Sequence, residues 1–407
     1  MSNNSLSPVS ATKRYVLLDA LRGFAVLGIC LANYPEFSLY TFQSEETMAN
    51  MPTAEADNVL KWLMYIFIDG KFYTLFSLLF GIGFSIILSN ALAKGSNGLK
   101  VFYRRMSVLI AIGFVHIAFI WSGDILMLYA LLGMLLPLFR NSSDKSILTI
   151  AAIMLLMPVV VDSLCAAFGI SLSAPAVRAQ WYYCDKYGIT EENFGYWLRD
   201  ADSYKEVFQF LVQGAMVRIQ EFVDGNRYFK VFGLFLIGYY IGRNKLYANI
   251  NEHRQRIKKV MLYAATPAIP LSIAYAWSGM NGKPFGTPIH TLLYTLSIYP
   301  MGIVYLSGFS LLFMKHEHSI VWKLLAAPGR MALTNYIFQS VFGMFIFYGI
   351  GFGVGTHFGL IETEATAIAV YIVQMAVSMI WLHSLRFGPM EWIWRILTYG
   401  KLFRLRK

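Results

Sequence analysis

Charge is scarce in this sequence, and acidic charge scarcest of all. Of 407 residues only 14% are Asp, Glu, Lys or Arg, and 23 acids face 34 Lys and Arg. A soluble globular domain carries about 25% charged residues, so the composition excludes that class. Cysteine is nearly absent as well. Cys30, Cys165 and Cys184 make no CxxC pair and no Cys/His cluster, so neither a disulfide framework nor a metal site is indicated. There is no coiled-coil heptad, low-complexity tract or clear internal repeat. The Gly pair in Phe80-Gly81-Ile82-Gly83 lacks the strand–turn context of a nucleotide loop.

What is present is apolar: 57% of the chain is hydrophobic. Ten runs approach the roughly 20 residues that a spanning helix needs. They cover approximately 15–36, 68–92, 99–120, 124–140, 146–170, 227–243, 257–278, 290–314, 329–351 and 364–386. The first is a retained helix and not a cleaved signal, because Asp19 and Arg22 interrupt it and no small-residue cleavage site follows. Loop charge tests the topology. Lys13 and Arg14, Lys94 with Lys100, Arg104 and Arg105, Arg140 with Lys145, Arg243 through Lys259, Lys315 with Lys323, and the basic 401–407 tail all fall on one side. The other side holds Glu36, Glu45, Glu46, Glu55 and Asp57, then Glu362 and Glu364. The positive-inside rule therefore predicts both termini in the cytoplasm. It also accounts for the net charge of +11 without nucleic acid as a partner. The fold expected is an all-α, polytopic membrane helix bundle.

Four regions follow from this reading. Residues 1–170 form a five-helix half that carries the polar site, and 171–226 an extracytoplasmic helical segment. Residues 227–387 form a second five-helix half. Residues 388–407, with Pro389 at a first helical position and Trp392 and Trp394 beyond it, form an interfacial helix and basic tail.

Ionisable groups inside apolar spans cost at least roughly 2.5–3.5 kcal/mol each on insertion scales, so those present mark an internal polar site. Asp19, Arg22, Val26, Ile29 and Asn33 follow helical spacing and share a face, and Asp19 and Arg22 are placed to pair. Asp69 and Lys71 open the second span. There Ser77, Gly81 and Ser85 recur every fourth residue, a packing face. His116 lies almost three turns beyond Arg105, about 16 Å along one face. The turn Trp121-Ser122-Gly123-Asp124 brings Asp124 back towards it. A carboxylate that orients an imidazole makes a general base. The same residues also read as a helix N-cap and a hydrogen-bonded packing histidine. Asn335 and Gln339 share a face and are placed to bond across helices. Arg330 either snorkels to headgroups or joins Arg104 and Arg105 around a phosphate-bearing cofactor. Gly238 and Gly242 make a small-xxx-small pair, used either between two copies in a homodimer or within one chain.

Five ordered motifs resemble the YeiB family of bacterial inner-membrane proteins, described as of undefined function. They are Leu18-Asp19-Ala20-Leu21-Arg22-Gly23-Phe24-Ala25, the Phe72–Gly83 segment, His116 with Gly123-Asp124-Ile125-Leu126, Gly329-Arg330 with Leu333-Thr334-Asn335-Tyr336, and Gly388-Pro389 with Glu391-Trp392. The opening Asp-x-x-Arg-Gly run is also similar to transmembrane acyltransferases such as heparan-alpha-glucosaminide N-acetyltransferase. That resemblance implies transfer of an acyl group from cytosolic acyl-CoA, a co-substrate and not a bound cofactor, to a lipid or saccharide acceptor across the bilayer. Residues 37–67, where the heparan enzyme carries its catalytic histidine, contain none here, so His116 would supply the base from another helix. Lys71 or Asn33 would then stabilise the oxyanion. The alternatives are a transporter or export factor for a small or lipid-like solute, and a non-catalytic lipid- or quinone-binding protein.

Overall fold

The computed structural model describes residues 15–92, 98–248 and 250–407. Lys13, Arg14 and Lys94, part of the charge argument, lie outside them. The first half comprises α1 (Val16–Phe37), two short outer helices α2 (Glu45–Ala49) and α3 (Ala54–Leu63), α4 (Lys71–Leu92), α5 (Gly98–Phe119), α6 (Leu126–Gly133) and α7 (Asp144–Phe168). Next come α8 (Ala174–Tyr187), α9 (Glu191–Phe194), α10 (Trp197–Asp200) and α11 (Tyr204–Asp224). The second half holds α12 (Arg227–Arg243), α13 (Arg254–Met280), α14 (Gly286–Lys315), α15 (Ile320–Arg330), α16 (Ala332–Phe347), α17 (Leu360–Ser384) and α18 (Pro389–Tyr399). Among the described residues β-structure is limited to one isolated bridge, Leu385 with Arg406.

Every one of the ten apolar runs is helical at close to its expected position. Seven helical stretches are long and apolar enough to cross a membrane. The remaining three, α12, α16 and α6 with its 3-10 extension through Phe139, are shorter. The chain enters α4 from α3 through a π-helical turn, Met64–Ile68, and Gly70 with φ +75° completes the change of direction. Capping boxes start α9 and α11: at the latter the Glu206 carboxylate accepts from Ser203 N–H at 3.2 Å.

Glycines set the closest helix approaches. A Cβ on Gly81 would lie 2.2 Å from the Phe235 carbonyl oxygen, and one on Gly238 2.1 Å from that of Leu78. Gly242 lies over Ser85 and Ile82 in the same way. The Gly238/Gly242 pair thus packs on α4 within one chain, the second of its two readings. The two halves interleave. α1 packs on α15, α16 and α17, while α4 packs on α12 and α14.

Candidate functional site

One long cavity runs through the bundle, with a volume of about 1030 Å³. That is the top of the roughly 300–1,000 Å³ range of small-molecule sites. Along α1 its wall is Tyr15, Asp19, Arg22, Val26, Ile29, Asn33 and Glu36, one helical stripe. At 1.5 Å per residue the stripe spans about 30 Å, the thickness of a bilayer's hydrocarbon core. The polar face read from the first span is therefore the wall of a cavity.

The cavity is charged at both ends and apolar between them. At the end where α1 begins, Arg22, Arg105, Arg330, Arg395 and Lys245 stand against Asp19 and Glu391. Arg22 donates to Asp19 at 2.9 Å, the i,i+3 pair expected from spacing. The middle is lined by Phe76, Leu79, Phe80, Leu109, Leu126 and Leu333. At the far end Asn33, Glu36 and Asp69 meet Arg218 and Glu221 of α11 and Arg227 of α12. Arg218 donates to Glu221 at 2.5 Å and to the Ser122 carbonyl at 3.1 Å, and Asp69 accepts from the Tyr275 hydroxyl at 2.5 Å.

The basic end is assembled from separate stretches of chain. Gly23 and Gly329 bring α1 and α15 into backbone contact: a Cβ on Gly329 would lie 1.8 Å from the Asp19 carbonyl oxygen. Two of the five motifs singled out in the sequence therefore meet each other. A third closes the same end. Glu391 accepts from the backbone N–H groups of Leu333 at 2.8 Å and Thr334 at 3.1 Å, and from the Thr334 hydroxyl at 2.5 Å. It supplies the acceptor that the N-terminus of α16 otherwise lacks. Trp394 then donates to the Arg105 carbonyl at 2.9 Å, and the Arg105 guanidinium lies 3.6 Å from the centroid of its ring.

Glu391→Ala leaves those donors without a partner, and the expected cost is about 2–5 kcal/mol. Faster proteolysis between α17 and α18 would show it. Burial holds the Glu391 carboxyl above the ordinary carboxylate range, against the opposing pull of Thr334 and the backbone amides. The folded protein thus holds this proton more tightly than the unfolded chain does. Stability is expected to fall as pH rises from about 4.3 towards the raised value, and Glu391→Gln to flatten that slope in pH-dependent unfolding.

The His116–Asp124 pair forms as the turn implied, with Nδ1 3.0 Å from the Asp124 carboxylate. Asp124 also accepts from Met127 N–H at 2.9 Å, in the manner of a helix cap. The other imidazole nitrogen, Nε2, is 2.9 Å from the Ser340 hydroxyl of α16. All three side chains are about 1% exposed and none is in the cavity wall. Tyr336 intervenes: it lines the cavity, and its ring centroid lies 5.2 Å from that of His116.

The other expected residues divide. Asp19, Arg22, Asn33, Asp69, Arg105 and Arg330 line the cavity. Lys71 does not; its ammonium is turned back onto the Tyr65 carbonyl at 2.6 Å, away from the cavity wall. Arg104 is exposed beside Gly400, on the solvent face of α5. Asn335 and Gln339 bond across to α17, Asn335 to Ser378 at 3.1 Å and Gln339 to Gln374 at 3.1 Å, the packing role. The polar site is not confined to residues 1–170, since α11, α12, α15 and α18 supply half its charges. Glu391 and Arg395 share a helical face with Trp394 and Tyr399, a spacing visible in the sequence but read only as an interfacial helix.

Residues 241–401 match the family model described as "Protein of unknown function (DUF418)". The chain is 29% identical to "Uncharacterized protein YxaH" of Bacillus subtilis (strain 168), over 97% of each chain. To "Uncharacterized protein YeiB" of Escherichia coli (strain K12) it is 28% identical, over 95% of this chain and 96% of the relative. A 39.9 kDa protein from the amylase 3' region of Bacillus acidopullulyticus is 27% identical, over 98% and 97%. No solved structure matches. The likeness first read from five motifs thus extends over nearly the whole chain: this is a membrane protein similar to the bacterial YeiB and YxaH proteins, and its residues 241–401 match the DUF418 model.

Proposed function

We propose that this protein is an acyltransferase of the bacterial inner membrane, with the basic end of its cavity towards the cytoplasm. The observation that carries this reading is the polarity of the cavity. Guanidinium groups are matched to phosphate, and Arg22, Arg105, Arg330 and Arg395 together would hold the diphosphate of an acyl-CoA. The apolar waist takes the pantetheine arm and acyl chain. The far end, where Glu36, Arg218 and Glu221 present both signs of charge, takes a polar acceptor such as a saccharide or lipid headgroup. His116, oriented by Asp124, is the base that removes the acceptor's proton, and the substrate reaches it past Tyr336.

A second reading is favoured by one observation, the Tyr336 ring between His116 and the cavity. On it the cavity is a passage or store for a lipid-like anion and no bond is made. Titration of purified protein with acetyl-CoA and longer acyl-CoAs separates the two. Saturable binding with release of CoA thiol is the expected result, and no binding to any acyl-CoA sinks the acyltransferase. Arg22→Ala or Arg105→Ala is expected to weaken binding about 10- to 100-fold, the worth of a charged hydrogen bond of about 1.5–3 kcal/mol.

A further inference from the structure

We infer that Ser340 is a nucleophile, activated by His116 and Asp124, and that it carries the acyl group as a serine ester between donor and acceptor. This rests on the acyltransferase reading for its substrate, but the constellation stands on its own geometry.

The three side chains form a chain of hydrogen bonds, Asp124 carboxylate to His116 Nδ1 at 3.0 Å and Nε2 to Ser340 Oγ at 2.9 Å. Those are the distances and the order in which a carboxylate fixes an imidazole tautomer and the imidazole takes a hydroxyl proton. Capping α6 accounts for one oxygen of Asp124, and does not require the other to stand behind the imidazole. One hydrogen bond between α5 and α16 would join those helices, whereas here a buried carboxylate also stands behind the imidazole. Ser340 continues the cavity-facing stripe of α16, since Leu333 and Tyr336 line the wall and Ser340 follows one turn later. Tyr336 covers it from the cavity. The Tyr336 hydroxyl lies near the Ile125 backbone without completing a hydrogen bond of normal geometry. A turn of that ring uncovers Ser340 and leaves a hydroxyl donor beside it for the developing oxyanion.

The chemistry balances in two steps. Ser340 Oγ attacks the thioester carbonyl carbon, its proton passes to His116 Nε2, and the C–S bond breaks. The thiolate takes that proton and leaves as CoA thiol. The acceptor's hydroxyl or amine then gives its proton to Nε2 as it attacks the serine ester. The C–O bond to Ser340 breaks, and Ser340 recovers the proton.

The test uses the full chain in detergent or nanodiscs, treated separately with a fluorophosphonate and with acetyl-CoA, followed by peptide mass spectrometry. The expected result is a phosphonyl and an acetyl adduct on Ser340. Both vanish in Ser340→Ala, and labelling falls at least about 100-fold in His116→Gln. Ser340→Cys guards against misfolding of the alanine variant: its thiol is expected to react with iodoacetamide faster with His116 present than with Gln there. Unchanged acyl transfer in Ser340→Ala overturns the serine ester and leaves His116 acting directly on the acceptor. A fluorophosphonate adduct on Ser340 in a chain that binds no acyl-CoA supports the nucleophile and removes the acyltransferase instead. No adduct from either probe, in a chain that binds acyl-CoA, overturns the nucleophile.

Discussion

Protein carrying Asp124→Asn is expected to bind acyl-CoA as tightly as the wild type and to turn it over about 10²- to 10⁴-fold more slowly. The carboxylate is buried and makes no contact with the cavity, so its loss leaves the arginines and the apolar waist untouched. What changes is the imidazole. An amide in that place no longer fixes the proton on Nδ1, and Nε2 is no longer held as an acceptor. His116→Gln is expected to act at the same step with at least the same magnitude, since positioned general bases contribute about that much. The measurement is kcat alongside the acyl-CoA Kd. A fall in kcat matched by a rise in Kd would mean that the pair only holds α5 and α6 to α16, and would favour the passage reading. Arg105→Ala is the complement, with Kd affected and chemistry spared.

Gly329→Ala is expected to be among the most damaging single-methyl changes at the described glycines. The added carbon would lie 1.8 Å from the Asp19 carbonyl oxygen and 2.6 Å from Gly23 N, both backbone atoms that cannot turn aside. α1 and α15 would have to separate, and overpacking in a tight interior already costs about 1–3 kcal/mol where side chains can adjust. A cost above about 3 kcal/mol is a large fraction of the ~5–15 kcal/mol that holds a typical domain folded. Lower yield of monodisperse protein and a depressed Tm would show it. Gly308→Ala is the control. Its new carbon would be 3.6 Å from the Met261 sulfur, an ordinary contact, and is expected to be neutral or mildly stabilising.

These expectations divide along the line between what a sequence displays locally and what it leaves to folding. The spans were legible because apolar length is a property of contiguous residues. Asp19 with Arg22, and His116 with Asp124, were legible because three and eight residues separate the partners. Ser340 lies 224 residues from His116, and Glu391 57 from Thr334. No periodicity connects such pairs, so both escaped the sequence reading, although Ser340 and Thr334 share a helix with residues singled out. Lys71 failed for the opposite reason. A charge in an apolar run looks the same whether it faces a cavity or folds back on a carbonyl six residues away. The far-end arginines were hidden by composition, since in α11 and at the start of α12 charge is unremarkable. Only the packing of α11 over the cavity gives Arg218 its significance.

The contact between α1 and the last helices also sets a timetable. Tyr371 of α17 donates to the Gly23 carbonyl across 348 residues of chain. At about 5–20 residues per second of synthesis, α1 waits roughly 17 to 70 s in the bilayer before that partner exists. For most of that interval its stripe from Asp19 to Glu36 has no α15 beside it, and α18 follows later still. The Asp19–Arg22 pair, formed inside one turn of helix, is the one neutralisation of those charges available to a nascent first span. A chain with Asp19→Ala would leave Arg22 without that intrahelical partner at the moment of insertion, so the pair offsets charge in the first span before it shapes the finished cavity.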